Sequence, residues 1–210
     1  MVHIDWEEIK ILVRPEEIEE QGCIRSKIKD DYYPDLEIEG ITPRYYYHKQ
    51  YRDKDEYTNR ILLTKETGED HSAYFKPFVE DCISKFKDSM KLNTVDIITL
   101  IPNGNNKYYK TMMEVAGTIS ELLGKPRTIL LRRQTTEKHK DRSRKSRFEA
   151  VHGHFSVDNV ELVKGKTIFL IDDVRTSGMS ALECSDVLKK AGATRVVTFA
   201  LGTNTGDPPK

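Results

Sequence analysis

Two adjacent carboxylates followed by small hydroxyl and glycine residues form the part of this chain best suited to chemistry. Residues 168–180 read IFLIDDVRTSGMS, so an apolar run ends at Asp172 and Asp173. An acidic pair can bind sugar hydroxyls or a Mg²⁺ ion that keeps most of its water. The loop after the pair offers hydroxyls, backbone N–H groups and the positive end of a helix dipole, which suit a phosphate. The pattern therefore predicts a site for a phosphorylated sugar.

Three other interpretations of the acidic pair explain less of this pattern. A strand end followed by a helix cap accounts for one Asp, but not for the pair together with the hydroxyl loop. A Walker B strand needs a GxxxxGK[ST] loop, and the chain has none. A phosphoacceptor receiver domain needs its acidic pair on the first strand with three further βα units behind it, and too little chain follows Asp173.

A second segment, residues 132–147, is strongly basic. It reads RRQTTEKHKDRSRKSR, with eight Lys or Arg residues against two acidic ones. Composition alone favours a solvated loop that attracts nucleic acid without sequence preference. Residues 1–40 have the opposite bias, with five basic and twelve acidic side chains, and the whole chain has 34 of each sign. That balance argues against a protein coated uniformly with positive charge.

The apolar pattern places these segments on an α/β framework. From about Thr94 onward, buried strands alternate with amphipathic helices, which predicts a parallel sheet covered on both faces. The predicted strands are 95–101, 128–131, 167–171 and 195–201, and the predicted helices are 75–90, 110–123 and 180–190. Ligands bind beyond the carboxyl ends of the strands in such a sheet, and the acidic pair lies at such an end. Residues 1–73 are acidic and then tyrosine-rich, and their weak periodicity predicts an irregular or short-stranded region attached to the sheet.

Other features bound the class of protein. No apolar run is long enough to span a bilayer, and the first ten residues are acidic where a signal peptide is basic and then apolar. Cys23, Cys82 and Cys184 are far apart and lack a CxxC spacing. We therefore expect a soluble protein of the reducing cytoplasm, with no membrane partner.

The histidines and tyrosines give weaker signals. His152 and His154 flank Gly153 without an acidic residue nearby in sequence, so we expect a structural role for both. The cluster Tyr45, Tyr46 and Tyr47 suits stacking on a base, and packing explains it at least as well.

Residues 168–180 resemble the signature with which type I phosphoribosyltransferases bind 5-phosphoribosyl 1-pyrophosphate (PRPP). Upstream, the chain is similar to the ComF-like branch of that family. The matching positions are Arg132, Thr136, His139, Arg147, Ala150, Val151, Gly153, His154 and Phe155. His139 and Ala150 stand where that branch has Gln and Asn, and residues 109–113 replace its Arg-Gly-Phe-Asn-Gln segment. The branch often has a four-cysteine zinc module, which this chain lacks.

The resemblance implies a type I phosphoribosyltransferase fold, with a twisted, mainly parallel sheet, helices on both faces and a small N-terminal hood. It implies a hood at residues 1–73, a catalytic core at 74–202 with a flap at 132–157, and a polar tail at 203–210. It also implies that a nitrogenous acceptor displaces pyrophosphate from PRPP, with Mg²⁺ bound through PRPP and the acidic pair. Homodimers are common in this family.

The resemblance also assigns roles to residues. Asp172 and Asp173 are the expected catalytic and Mg²⁺-associated pair. The expected 5′-phosphate loop comprises Val174, Arg175, Thr176, Ser177, Gly178, Met179 and Ser180. The expected pyrophosphate loop comprises Pro102, Asn103, Gly104 and Lys107, and the expected flap residues are Arg132, Arg133, Lys138, Lys140 and Arg147.

Two alternatives to catalysis remain open from the sequence alone. Arg175 stands where the hypoxanthine–guanine enzymes have an Asp that acts as base toward the purine. The chain could therefore keep the fold as a non-catalytic sensor of PRPP or nucleotides. The basic segment alone would fit a nucleic-acid-associated factor with a vestigial site, which the motif spacing disfavours. The sequence does not identify the acceptor.

Overall fold

The computed structural model describes residues 16–20, 22–104, 106–134 and 143–204. Its strands are β1 (Glu16–Glu20), β2 (Cys23–Lys29), β3 (Glu37–Thr42), β4 (Arg44–Tyr46), β5 (Ile97–Leu100), β6 (Leu131–Arg133), β7 (Phe155–Val157), β8 (Thr167–Arg175) and β9 (Arg195–Asn204). Its α-helices are α1 (Glu56–Thr67), α2 (Ser72–Phe86), α3 (Lys110–Leu123), α4 (Arg144–Glu149) and α5 (Met179–Lys190). Short 3₁₀ turns cover Lys49–Tyr51, Leu92–Thr94 and Val160–Leu162.

The central sheet is mainly parallel. Its strand order is β1-β2-β3-β9-β8-β5, and β4 pairs with the last residues of β9. Strand β9 pairs in parallel with β3, β4 and β8, and β8 also pairs in parallel with β5. The pairs β1–β2 and β2–β3 are antiparallel. A separate antiparallel pair is formed by β6 and β7. The α/β class and the mainly parallel sheet predicted from the sequence are thus confirmed.

Apolar side chains on both faces of β8 explain why helices cover both faces. Phe169 and Ile171 belong to a core cluster that includes residues of α1, α2 and α3. Ile168 and Leu170 belong to a second cluster with residues of α5 and of the β6–β7 pair. Near-continuous apolar strands of this kind are typical of a parallel sheet buried on both sides.

The N-terminal region is more regular than its sequence indicates. Strands β2 and β3 extend the central sheet and bury Ile24, Ile28, Ile38 and Ile41. Helix α1 was not expected, because its buried positions mix Thr58 and Thr64 with apolar residues.

The two central strands are longer than their apolar runs. Strand β8 continues past residue 171 to Arg175, and β9 continues past residue 201 to Asn204. Apart from Val174 and Gly202, both extensions are polar, and they are paired with each other, so apolar content alone could not reveal them. Thr203 and Asn204 therefore belong to β9, although the tail was expected from residue 203. The division into hood and core remains a prediction.

Two further findings concern the whole fold. Among the described residues, no helix is both long and apolar enough to cross a membrane. All three cysteines are buried free thiols.

Candidate functional site

A cavity of about 230 Å³ opens at the carboxyl ends of β5 and β8. It brings together segments that are far apart in the chain. Predicted site residues in its wall are Pro102, Asn103, Gly104, Lys107, Arg133, Asp172, Asp173, Val174 and Ser180. The start of α3 contributes Tyr108, Tyr109 and Met112, which the sequence did not single out for this site.

Asparagine side chains shape the loop after β5. The Asn103 side chain accepts a hydrogen bond from the Lys107 N–H at 2.9 Å, which closes the loop on itself. Asn106, in a left-handed conformation at φ 52°, accepts from the Arg133 N–H and donates to the Arg133 carbonyl, both at 2.6 Å. Asn106 therefore joins this loop to β6. The Asn-Gly-Asn-Asn run signals a turn, but it does not reveal this long-range contact.

The acidic pair lies within the end of β8, beside a lysine from α1. Asp172 Oδ1 accepts a hydrogen bond from the Asp173 N–H at 2.9 Å, and Asp173 Oδ1 accepts from the Val174 N–H at 2.5 Å. Lys65 Nζ lies 3.0 Å from Asp173 Oδ2. The two adjacent carboxylates are therefore accompanied by one ammonium group.

Burial and charge act differently on these three groups. Burial raises the pKa of Asp172 to about 7, the charge of Asp173 adds to this rise, and Lys65 opposes it. Burial alone would lower the pKa of Lys65, but the charge and hydrogen bond of Asp173 raise it above its usual value. Lys65 is therefore an ammonium ion at neutral pH. Nothing in its local sequence indicates this contact, which depends on how α1 packs.

The predicted phosphate loop is shorter than expected, since β8 extends to Arg175. The turn comprises Thr176, Ser177 and Gly178, and α5 begins at Met179. Gly178 has φ 76°, and a Cβ there would lie 2.6 Å from Cγ2 of Ile28. Gly178 provides no side-chain cap, and the first N–H groups of a helix have no acceptor within it. The start of α5 can therefore donate backbone hydrogen bonds to an anion.

Arg175 does not serve the phosphate loop through its side chain. It is 2% exposed, and its guanidinium lies between β1 and β9. Its Nη2 atom lies 3.2 Å from Glu17 Oε1 and donates to Thr203 Oγ1 at 3.1 Å. Burial lowers its pKa, and the charge of Glu17 opposes this effect. These partners are distant in sequence, so the sequence could not indicate that the side chain packs between β1 and β9. The place of Arg175 in a phosphate-binding loop stays a prediction.

The predicted flap residues separate into three groups. Arg133 lines the cavity, donates to the Ala150 carbonyl at 3.2 Å and lies 5.2 Å from the ring centre of Phe155. Arg132 instead pairs with Asp158 at 2.6 Å, and neither Arg132 nor Arg147 lines the cavity. Lys138 and Lys140, with Thr136 and His139, lie outside the described residues.

A buried glutamate anchors the end of the segment that was predicted to form a flap. Glu183 of α5 is 2% exposed, and it accepts hydrogen bonds from the Tyr33 hydroxyl at 2.5 Å and the Gly153 N–H at 2.7 Å. His152 Nδ1 lies 3.3 Å from the same carboxylate. His152 therefore has an acidic partner that sequence proximity could not indicate. The one feature of the sequence that could have indicated a buried role for Glu183 is its position next to Leu182 in an amphipathic helix.

The acidic pair could hold a metal ion only together with ligands from water or from a bound molecule. Among the described residues, no group of three or more His, Cys, Asp or Glu side chains could hold a metal. The acidic pair could contribute carboxylate oxygens to a Mg²⁺ ion that takes its remaining ligands from water and a bound ligand, as Mg²⁺ commonly does. The residues therefore fit a ligand-borne Mg²⁺ ion.

Comparison with known proteins finds similarity only among solved structures. No protein-family model and no curated protein matches the chain. An allosteric regulatory enzyme of purine biosynthesis is 22% identical with a TM-score of 0.36, covering 50% of this chain and 22% of that one. The glutamine PRPP amidotransferase of B. subtilis is 21% identical with a TM-score of 0.37, covering 53% and 24%. The chain thus spans less than a quarter of these two proteins.

A third structure is matched over most of its own length. The purine phosphoribosyltransferase of Pyrococcus horikoshii is 15% identical with a TM-score of 0.38, and the match covers 63% of this chain and 91% of that one. All three TM-scores are below 0.5, so these similarities assign no function to this chain.

Proposed function

We propose that this protein is a type I phosphoribosyltransferase that binds PRPP with Mg²⁺ and transfers its ribose 5-phosphate to a nitrogenous acceptor, releasing pyrophosphate. One observation carries the proposal. A single cavity is lined by the loop after β5, the acidic pair of β8, the first turn of α5 and Arg133. These are the four elements that a ligand with a phosphate, a ribose and a pyrophosphate would require.

Each part of PRPP has a matching element. The 5′-phosphate would accept backbone hydrogen bonds at the start of α5, with further donors in Thr176, Ser177 and Ser180. The ribose hydroxyls would donate to Asp172. The pyrophosphate would lie against the loop of Asn103 and Gly104, opposite the Arg133 guanidinium, whose Nε is buried without a hydrogen-bond partner among the described residues. Charge-assisted bonds from Arg133 suit phosphoryl oxygens.

This arrangement acts on the step in which the pyrophosphate leaves. Holding PRPP at both ends positions its reacting carbon for attack by the acceptor nitrogen. Donors fixed around the pyrophosphate stabilise the negative charge that develops on it. Mg²⁺, when bound, supplies further neutralisation of the pyrophosphate oxygens.

Calorimetry with PRPP and Mg²⁺ tests the binding part of this proposal. At pH 8, where Asp172 is ionised, wild-type protein should bind, and D172N should lose affinity by about tenfold or more, because a ribose hydroxyl loses a charged acceptor. K76M is a matched control, since Lys76 pairs with Glu80 within α2 and does not line the cavity. An absence of binding by the wild-type protein would refute the proposal.

A PRPP-sensing protein without turnover is the second candidate function. The observation that favours it is Arg175, whose side chain is engaged with Glu17 and Thr203 and offers no general base to an acceptor. Pyrophosphate release on addition of candidate nitrogenous acceptors separates the two functions. If PRPP binds but no acceptor causes release of pyrophosphate, the sensor is favoured. If an acceptor causes pyrophosphate release and the D172N substitution abolishes it, the enzyme is favoured. Membership of the ComF-like branch remains a proposal alongside them.

A further inference from the structure

The two carboxylates of the acidic pair have different surroundings. Both oxygens of Asp173 are engaged, Oδ1 by the Val174 N–H and Oδ2 by the Lys65 ammonium. Asp172 accepts a hydrogen bond on Oδ1 from the Asp173 N–H, and within the described part of the chain Oδ2 accepts none. The acceptor available to an incoming hydroxyl is therefore on Asp172.

Lys65 reaches this pair from outside the segment that carries the motif. It belongs to the last turns of α1, and the cavity wall is formed by Asp173 and not by Lys65. The ion pair is partly exposed, with 32% of the Lys65 side chain and 27% of the Asp173 side chain accessible. Lys65 thus contacts Asp173 beside the cavity without occupying the space that a ligand would use.

The ion pair between Lys65 and Asp173 affects how strongly an anionic ligand can bind in the cavity. Two negative charges at the wall of a cavity repel phosphoryl groups, and the repulsion is stronger in a partly desolvated site than in water. The Lys65 ammonium offsets one of the two charges and also fixes the orientation of the carboxylate that bears it.

We infer that Lys65 is a positioning residue that acts as a permanent counter-cation for Asp173, so that Asp172 alone provides the carboxylate that binds the sugar. The inference rests on the proposed function and deepens it. It assigns separate roles to two adjacent residues that the sequence treats as equivalent. It also means that part of the neutralisation required at this site is supplied by the chain itself, whether or not a divalent cation is present.

The test is a double-mutant cycle read by calorimetry with PRPP. The variants are K65M, D173N and the double variant K65M/D173N, with D172N for comparison, all measured at low and at saturating Mg²⁺. K65R keeps the charge and serves as the conservative variant, and K76M serves as the matched surface control. Circular dichroism at each step verifies that the variants are folded.

We expect K65M to weaken PRPP binding by about tenfold at low Mg²⁺, because the unpaired Asp173 charge then repels the ligand. Saturating Mg²⁺ should reduce that loss. D173N should weaken binding less than D172N does, and K65M/D173N should bind more tightly than K65M. K65R should remain close to wild type.

Three outcomes would overturn the inference while leaving PRPP binding intact. They are a K65M affinity equal to that of the wild type, a D173N loss as large as that of D172N, and a double variant no better than K65M. If the wild-type protein binds no PRPP, the proposed function itself fails, and this inference fails with it. The two failures are therefore distinguishable.

Discussion

Asp172 is a carboxylate whose surroundings disfavour its charge. Burial and the neighbouring Asp173 raise its pKa to about 7, so the folded protein keeps a proton that the unfolded chain releases near the ordinary carboxyl value. The folded state then binds more protons than the unfolded state between these two values. Stability from this group is therefore fully present below the ordinary pKa and is lost as pH rises to about 7.

The D172N substitution should stabilise the ligand-free protein at pH 8, by an amount on the order of 3 kcal/mol. The advantage should disappear near pH 3, where Asp172 is protonated in the folded state and largely so in the unfolded chain. Thermal unfolding followed across this pH range measures the difference. D88N, which changes an exposed carboxylate, should show no comparable trend. An equal gain for D172N at both pH values would show that the buried charge is not its cause.

The sequence predicted the site residues that follow the ends of buried strands. Asp172, Asp173, Ser180 and the loop after β5 all line the cavity, because each lies at or just after the end of a buried strand. Lys65, Asn106 and Glu183 were missed. Their partners in these contacts lie 27 or more residues away, so the pairing depends on how the elements pack and not on local pattern.

At the scale of elements, the turn between β8 and α5 requires glycine for two separate reasons. Gly178 has φ 76°, which a side chain disfavours by about 1–2 kcal/mol. A Cβ would also approach Ile28 Cγ2 to 2.6 Å, so β2 and the turn could not both keep their positions. The packing of β2 thus limits the conformation of the proposed phosphate loop.

The G178A substitution should lower stability by more than the backbone cost alone and should weaken PRPP binding. The double variant I28A/G178A should recover part of the binding loss, because it removes the steric conflict but not the backbone strain. Urea unfolding and calorimetry on both variants, with I28A as the control, measure these effects. If I28A/G178A binds no better than G178A, the steric contribution is absent.

Helix α5 also connects the proposed phosphate loop to the segment that was predicted to form a flap, through Glu183. Its carboxylate accepts from Tyr33 and Gly153, and burial with the Glu183 hydrogen bond raises the pKa of Tyr33 well above its usual value. Phe148 of α4 stacks on His152 at 4.4 Å, which extends the same contact. The helix that begins at the phosphate loop therefore also fixes residues 148–153.

Replacing Glu183 by leucine should destabilise the protein by about 1–3 kcal/mol, because the buried Tyr33 hydroxyl and the more exposed Gly153 N–H lose their acceptor. E183Q should cost less, since its carbonyl oxygen can still accept from Gly153. Y33F removes one of the two bonds and should cost about 1 kcal/mol. Chemical denaturation measures all three, and hydrogen exchange of the Gly153 amide should increase in E183L. Unchanged exchange at that amide would show that Glu183 does not hold this segment.

At the scale of the whole molecule, the N-terminal strands and the C-terminal strands share one core. Ile41, Tyr57 and Ile61 belong to the same cluster as Phe169 and Phe199. The Tyr57 hydroxyl donates to the Leu201 carbonyl at 2.6 Å, and β3 pairs with β9. The region expected to form a hood thus contributes directly to the packing of the strands that carry the site.

This shared core predicts one cooperative unfolding transition for the full chain. Far-UV and near-UV circular dichroism should give the same urea midpoint, as expected for two-state unfolding. Y57F, which leaves the Leu201 carbonyl without its donor, should lower both midpoints together, by about 1–2 kcal/mol in stability.

A fragment of residues 74–204 should fail to show this transition, because β9 would lose its pairing with β3 and β4 and the core would lose Ile41, Tyr57 and Ile61. A central strand exposed in this way favours aggregation over folding. Lys65 would be lost with the same segment, so the fragment would also lack the counter-cation of Asp173. A fragment that unfolds cooperatively and binds PRPP like the full chain would contradict both points, and it would show that residues 74–204 fold and bind independently.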